Sequence, residues 1–447
     1  MLSEKECQAI IDKGIKYAKA QNVDIEIVIT QDIDNNSRFA NNHMTQNQNS
    51  STLNISLRVI KNKQQAKYSI NQTDDESIKN GIAEGIKLLA LVPNEAENID
   101  LPMPQPKNSV NRFNKATANF SANDRAKVIE SVCQIASQNK LKASGLLENE
   151  VSVLAIGNSN NLFQYYPQSF ASFSLTMTQD DAASGWTKMI GTDIGKFNFI
   201  DTSKKVAKNT ISAKDPIDIE PGHYTVILPA IAVSDLLGNL WWSFTATSFR
   251  DKLSCFLDKL NKPVLGKNIT IYDDVFNELQ LGAPFDGEGV DTKKVLLVEN
   301  GILKNLVYNR KNAQYYHTEA SGHSLPQPST QGEYPSNIVM LGGDSTIEDM
   351  VASTDRGILL TRVWYVREVD PTSKIVTGMT RDGTFLVENG KVTAAIKNLR
   401  FNESLIEMLN KVEMLGKPEL IQGEESNPVV VPPLKVAYFN FESVTKF

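Results

Sequence analysis

A capped helix, a set of alternating strands and a second helix follow one another twice in the first half of this chain. Ser3 and Glu6 make a capping box ahead of Ile10, Ile11, Ile15 and Ala18, apolar positions at helical spacing. Val23, Ile25, Ile27 and Ile29 then alternate with Asp24, Glu26 and Val28, the period of a half-buried strand. Leu53–Ile60 and Gln65–Ile70 read as two more strands across the polar turn Lys61-Asn62-Lys63, and Thr73 with Glu76 caps a helix running to about Leu91. Pro102, Pro104 and Pro106 make Asn94–Pro106 an extended linker. Beyond it the order repeats. A helix near Ala122–Gln138 precedes strands at Glu150–Ile156, Leu162–Tyr166, Phe170–Gln179 and Gly185–Ile190, and a helix near Asp201–Ala213 closes the unit.

From Pro221 onward hairpins dominate. His223–Pro229 reads as a strand, the apolar Ala230–Phe244 as a helix, Gly357–Val366 and Leu434–Phe441 as strands, and Asn402–Met414 as a late helix. Asn300-Gly301 within Val295–Tyr308 and Asn389-Gly390 within Thr384–Ile396 are strong hairpin signals, because both turn residues need positive φ. The expected class is α+β: two similar N-terminal helix–antiparallel-strand–helix units, residues 1–106 and 107–218, followed by a β-rich C-terminal α+β domain, residues 219–447. At about 100–200 residues per domain the 447 residues accommodate that division.

Charge and cysteine usage remove several function classes. Lys and Arg number 46 against 52 Asp and Glu, a net charge of −6, and no basic run offers itself to a phosphate backbone. Nucleic acid is therefore not an expected partner. No segment approaches the ~18 consecutive apolar residues of a membrane span. The three cysteines, Cys7, Cys133 and Cys255, lie far apart, which suits a reducing compartment; a cytoplasmic location is expected.

The search for chemistry leaves few candidates. Of the four histidines, His43, His223, His317 and His323, none is followed by Glu, so no helical His-Glu zinc motif exists. His317, Glu319 and His323 could share one loop as metal donors, although the run into Ser324-Leu325-Pro326-Gln327-Pro328 favours a polar surface or cleft loop. Asp286-Gly287-Glu288-Gly289-Val290-Asp291 has the look of a calcium loop without the full ligand ladder, and a solvated turn is expected. Asp273-Asp274 reads as turn residues, Gly342-Gly343-Asp344-Ser345 as a turn before a helix cap, and Trp241-Trp242 as core or interface. Arg381 and Asp382 are candidates for lining a substrate cleft, with an ion pair flanking the hairpin as the plainer account.

Several segments taken in order carry more. Phe285-Asp286-Gly287-Glu288-Gly289, Leu297-Val298-Glu299-Asn300-Gly301-Ile302-Leu303, Tyr334-Pro335-Ser336-Asn337-Ile338, Thr377-Gly378 and Phe385-Leu386-Val387-Glu388-Asn389-Gly390-Lys391 resemble the TldD/PmbA family, the so-called modulators of DNA gyrase. Arg38-Phe39-Ala40-Asn41-Asn42-His43-Met44-Thr45-Gln46 is similar to that family's first domain. The resemblance implies a cytoplasmic zinc peptidase built from two homologous chains. The TldD-like chain carries His-Glu-x-x-x-His on the helix after a strand like His223–Pro229, with a Cys near the C-terminus; the TldE/PmbA-like chain lacks these ligands. Aligned on Thr225-Val226-Ile227-Leu228, the motif positions here hold Gly238, Asn239 and Ser243, and Glu419–Pro433 contains no Cys. Zinc needs imidazole or thiolate donors at about 2.0–2.3 Å, and an amide cannot act as general base. The resemblance thus implies a non-catalytic subunit with no metal of its own. Its partner would be a zinc-bearing TldD-like chain or a second copy, and its substrate a peptide or unfolded protein held by strand addition. The alternatives are a self-sufficient peptidase using His317, Glu319 and His323, and a non-enzymatic binder of gyrase or an antitoxin.

Overall fold

The computed structural model describes residues 1–93, 100–179, 183–424 and 426–445. Helix α1 (Glu4–Ala20) starts at the expected capping box: the Ser3 hydroxyl accepts from the Glu6 N–H, and the Glu6 carboxylate accepts from the Ser3 N–H at 2.7 Å. Strands β1 (Asp24–Ala40), β2 (His43–Lys61) and β3 (Gln64–Ile70) follow, then α2 (Asp75–Leu89). The α2 cap is Asp74 rather than Thr73, its carboxylate accepting from the Ser77 N–H at 2.9 Å. A carboxylate there also complements the positive end of the helix dipole. β1 and β2 run some ten residues past the apolar alternation that announced them. Apart from the buried Phe39, their outer halves carry mainly polar side chains on both faces, so main-chain pairing does most to keep them extended.

Residues 94–99 of the expected linker lie outside the described residues; Leu101 and Pro102 are buried, their carbonyls accepting from Asn160 and Asn158. The short helix α3 (Lys115–Ala118), then α4 (Ala122–Gln138), lead into β4 (Lys142–Asn158), β5 (Phe163–Gln179) and β6 (Ala183–Gly191), and α5 (Phe199–Ser212) closes the region. β5 is one strand where two were expected. Pro167 sits inside it opposite Val153, but β6 covers only Ala171 to Gln179, so at Pro167 the missing N–H faces no neighbouring strand.

All six strands form one antiparallel sheet in the order β3-β2-β1-β4-β5-β6. The two helix–strand–helix units are joined by β1 against β4, paired from Glu26 to Phe39. One face packs on the helices. Ile25, Ile27, Ile29, Leu57 and Val59 meet α1 and α2, and Phe39, Leu147, Phe173 and Leu175 meet α4 and α5. The other face turns Val28, Leu154, Ile156 and Tyr166 toward Phe285 of the C-terminal region.

That region contains two further sheets. β7 (Gly222–Leu228) leads into α6 (Ala230–Leu237) and α7 (Ala246–Arg250), then β8 (Ile271–Asp273), β9 (Val295–Glu299), β10 (Ile302–Leu303), α8 (Arg310–Tyr315), β11 (Ile338–Met340) and α9 (Ile347–Ala352). The long strands β12 (Arg356–Asp370) and β13 (Ile375–Glu388) are followed by β14 (Lys391–Ala395), β15 (Leu399–Ser404), α10 (Leu405–Asn410), β16 (Val412–Leu415), β17 (Glu419–Ile421), β18 (Val429–Val431) and β19 (Leu434–Val444). One sheet has the order β10-β9-β8-β11-β18-β17. The other runs β12-β7-β19-β15-β13, and β12 also pairs with β13, closing the ring. Both expected hairpin turns are present with positive φ at each central residue: 48° and 80° at Asn300-Gly301, 49° and 75° at Asn389-Gly390. The late helix is shorter than expected. Asn402–Ser404 belong to β15, because Phe401 alternates into the barrel core there, and only Leu405–Asn410 is helical. The mixed α+β class is as the sequence implies.

Candidate functional site

β7 delivers the chain into α6, where the family's catalytic motif would lie. The single helix expected over Ala230–Phe244 ends at Leu237; a turn follows, then a 3-10 segment at Trp241–Phe244. Leu240, Trp241 and Phe244 are each at most 1% exposed, and the tighter geometry turns all three into the core shared by the two C-terminal sheets. Thr245 then caps α7, its hydroxyl accepting from the Ser248 N–H at 3.1 Å. Trp241 is core, as read from sequence, whereas Trp242 is 37% exposed and its ring lies 4.6 Å from that of Tyr334.

Gly238 and Asn239 are half-buried at the end of α6. A Cβ added at 238 would lie 3.6 Å from the Ser426 Cβ. Ser426 and Gly423 are both tied to α6 through Ser234: the hydroxyls of Ser234 and Ser426 are 2.7 Å apart, and the Gly423 N–H donates to the Ser234 hydroxyl at 3.4 Å. Ser243 is 1% exposed, and its hydroxyl accepts from the Cys255 thiol at 3.3 Å. Burial pushes that thiol above its ordinary range, so Cys255 stays protonated and is a poor metal donor.

The other candidate ligands are not brought together. His317 and Glu319 are exposed, Glu319 pairing with Lys293 at 2.8 Å, while His323 is 4% exposed with its Nε2 2.9 Å from the Asp273 carboxylate. Burial alone would lower the His323 pKa; the Asp273 and Asp286 carboxylates outweigh it and hold the ring's pKa above its ordinary value. Asp273, expected in a turn, is fully buried at the end of β8, and its other oxygen accepts from the Asn337 N–H at 2.8 Å. Among the described residues no group of three or more His, Cys, Asp or Glu is placed to hold a metal ion.

The expected solvated turn at 286–291 is instead an acidic loop folded into the seam between the N-terminal sheet and the C-terminal region. One Asp286 oxygen accepts from the N–H groups of Glu288 and Val290, the other from that of Ser324. Glu288 is 5% exposed and pairs with Arg310 at 3.2 Å, near the buried ion pair Glu26–Arg58 at 2.6 Å. Gly289, at φ +79°, lies against the sheet: an added Cβ would fall 2.7 Å from Leu162. Asp291 accepts from the Gln164 amide at 2.8 Å. Desolvation, then the Glu288 charge, raise the Asp286 pKa to about 7. The sequence shows these acids; only the docked sheet shows that they are dry.

Arg381 and Asp382 line a cleft of about 500 Å³ with Thr176, Ser184, Lys397 and Asn398, between β5, β6 and β13. Asp382, 4% exposed, is held by Arg362 at 2.5 Å and by the Ser184 hydroxyl at 2.6 Å; Arg381 stands 3.9 Å from it and stacks on Trp364. Arg362 also reaches Glu424 at 2.6 Å and lies over the Trp186 ring. Sequence reading missed Arg362, whose register position opposite Arg381 exists only once β12 and β13 pair. Nearby, Asp32, Asp34, Glu148 and Glu150 share the sheet face turned away from the helices, where burial, then Asp34, Asp32 and Glu148, push Glu150 up to about 7.

Residues 221–443 match the sequence family described as the PmbA/TldA metallopeptidase C-terminal domain, and residues 25–89 match its domain 1. The chain belongs to the PmbA/TldD family. It is 28% identical over 224 residues to the metalloprotease TldD homolog of Buchnera aphidicola subsp. Acyrthosiphon pisum, covering 47% of this chain and 44% of that one; the chain thus spans less than half of that relative's length. It is 22% identical over 301 residues to metalloprotease PmbA of Escherichia coli O157:H7, covering 66% of this chain and 64% of that protein. The crystal structure of TldE from Thermococcus kodakarensis shares the fold at a TM-score of 0.88 and 18% identity, covering 98% of this chain and 100% of that one. The zinc that the metallopeptidase family implies does not fit the residues at the aligned positions here. Gly238 has no donor, Asn239 offers an amide, and the Ser243 hydroxyl is buried against a protonated thiol. No helix among the described residues is long and apolar enough to cross a membrane.

Proposed function

We propose that this chain is a non-catalytic, metal-free TldE/PmbA-like subunit of a two-chain cytoplasmic zinc metallopeptidase acting on peptides or unfolded proteins. The observation that carries the reading is the donor set on the segment after β7: Gly238, Asn239 and Ser243 supply neither zinc ligands nor a base. The zinc would be held by a homologous TldD-like partner. Three buried, unpaired thiols, Cys7, Cys133 and Cys255, are compatible with a reducing cytoplasm. The self-sufficient alternative draws no support from the separation of His317 and Glu319, both exposed, from His323, which is buried against Asp273.

The test is co-expression with a homologue bearing His-Glu-x-x-x-His, followed by hydrolysis assays on an unstructured peptide with each chain alone and with both. The expected result is a co-purifying pair, activity from the pair, and none from this chain. Peptide hydrolysis by the isolated chain, with stoichiometric zinc lost on His323→Gln substitution, would overturn the reading in favour of the atypical site.

A further inference from the structure

The face of the N-terminal sheet turned away from the helices is covered by the C-terminal region at two places. Val28, Leu154 and Ile156 pack toward Phe285, and the Tyr166 hydroxyl and Gln168 amide donate to the Leu281 carbonyl at 3.1 and 2.9 Å. Toward β6 the Lys188 ammonium donates to the Gln422 side-chain oxygen at 3.0 Å. Between these contacts lie Asp32, Asp34, Glu148 and Glu150, all half-buried. Asp34 stands directly opposite Glu150 in the ladder, which sets two like charges side by side.

Partly desolvated carboxylates crowded together are costly unless a cation balances them. Among the described residues no Lys, Arg or His pairs with any of the four; Asp34 accepts from the Ser50 hydroxyl at 3.4 Å. The cations within electrostatic reach of Glu148 are Lys188, which is engaged by Gln422, and the exposed Arg38. Burial, then like charge, raises the pKa of Asp32, Glu148 and Glu150. The neutral groups flanking Glu148 lack partners as well. Ser172, opposite it on β5, is 6% exposed, and its hydroxyl makes no hydrogen bond among the described residues. Asn36, opposite it on β1, has a buried side-chain oxygen with no hydrogen bond. Carboxylates, an amide oxygen and a hydroxyl can all accept, so the face is short of donors and of positive charge.

We propose that this face binds an extended peptide through arginine or lysine side chains at alternate positions, which donate to Asp34, Glu148 and Glu150, with Asn36 and Ser172 completing the acceptor set. The acids are spread along two strands rather than converged, and among the described residues no group of three or more is placed to hold a metal ion, so an ammonium or guanidinium suits them better than a divalent metal. Their period favours a peptide over a free polyamine. Asp32 and Asp34, like Glu148 and Glu150, recur at every second residue, about 6.5 Å, the interval at which an extended chain presents side chains on one face. The inference deepens the subunit reading by naming the class of peptide, and it rests on that reading for the peptide's fate; the binding itself belongs to this chain.

The experiment titrates the full chain, at physiological salt, into a fluorescent unstructured peptide carrying arginines at alternate positions, and into the same peptide with citrulline for arginine, which removes the charge and keeps the shape. The citrulline peptide is expected to bind at least ten-fold more weakly. Glu148→Gln/Glu150→Gln should weaken the arginine peptide by a similar factor, and its thermal midpoint should not fall, because repulsion is relieved. Glu76→Gln/Glu130→Gln removes the same charge from exposed positions on α2 and α4 and should leave binding unchanged. No binding of the arginine peptide, equal binding of the two peptides, or equal loss in both double variants would each overturn the proposal. So would displacement of the peptide by an equal concentration of spermidine. The two readings fail separately: charge-selective binding without hydrolysis by the two-chain pair refutes the subunit reading alone, and hydrolysis indifferent to peptide charge refutes this one alone.

Discussion

Replacing Asp286 by asparagine probes the dry acidic seam between the N-terminal sheet and the C-terminal region. Burial, then the nearby Glu288 charge, move the Asp286 pKa from 3.8 to about 7. A carboxyl whose pKa is raised on folding binds more protons in the native state than in the unfolded one between those two values. Stability therefore falls as pH rises across that window and levels off above it. At about 1.4 kcal/mol per pH unit, the displacement is worth at most about 4 kcal/mol between pH 4 and pH 8. Glu288, raised by its own burial, and His323, whose stabilising proton is lost as pH rises through its elevated folded value, act in the same direction. In Asp286→Asn one side-chain oxygen can still accept from the N–H groups of Glu288 and Val290, but an amide NH2 faces the Ser324 N–H, so about 1–1.5 kcal/mol is lost at pH 5. At pH 8 the variant is spared a buried charge and should equal or exceed the wild type. Urea unfolding followed by tryptophan fluorescence at pH 5 and pH 8 reads this directly. Equal pH dependence in the two proteins would show that Asp286 does not titrate in the seam.

Three further outcomes follow from the same geometry. Gly289→Ala puts a Cβ 2.7 Å from Leu162 at a positive φ and should destabilise the chain by about 2–4 kcal/mol in chemical denaturation, with the damage localised by hydrogen exchange to the seam. Arg58→Met strands Glu26 as a buried unpaired carboxylate and should cost about 3–5 kcal/mol, whereas Glu26→Leu/Arg58→Met should recover most of it; a double variant no better than the single would refute the pair's desolvation account. Arg362→Met frees Asp382 from its 2.5 Å partner and should loosen the contact of β6 with β13, seen as faster exchange of amides near Ser184; unchanged exchange there would count against that bracing role.

The short-range features of the fold were legible where a residue's chemistry acts on its neighbours. The Ser3–Glu6 box, the two Asn-Gly turns and the apolar alternation of Val23 to Ile29 each follow from a local hydrogen bond, a positive φ or a strand period, and each is found in place. Errors came where a distant partner overrode the local signal. Leu162–Tyr166 and Phe170–Gln179 read as two strands, yet they are one, because β6 stops short of Pro167 and leaves its missing N–H without a strand to pair. Ala230–Phe244 looked like one helix because the pull of two sheets on Leu240, Trp241 and Phe244 is not written nearby.

The sequence alone determined the α+β class, the family resemblance and the identity of the side chains at 238, 239 and 243, since these depend on which atoms are present. Only the tertiary structure decided that His323 sits against Asp273 rather than beside Glu319 and that the loop of Asp286 is dry. Desolvation and ion pairing are set by neighbours far along the chain, and no local pattern encodes them.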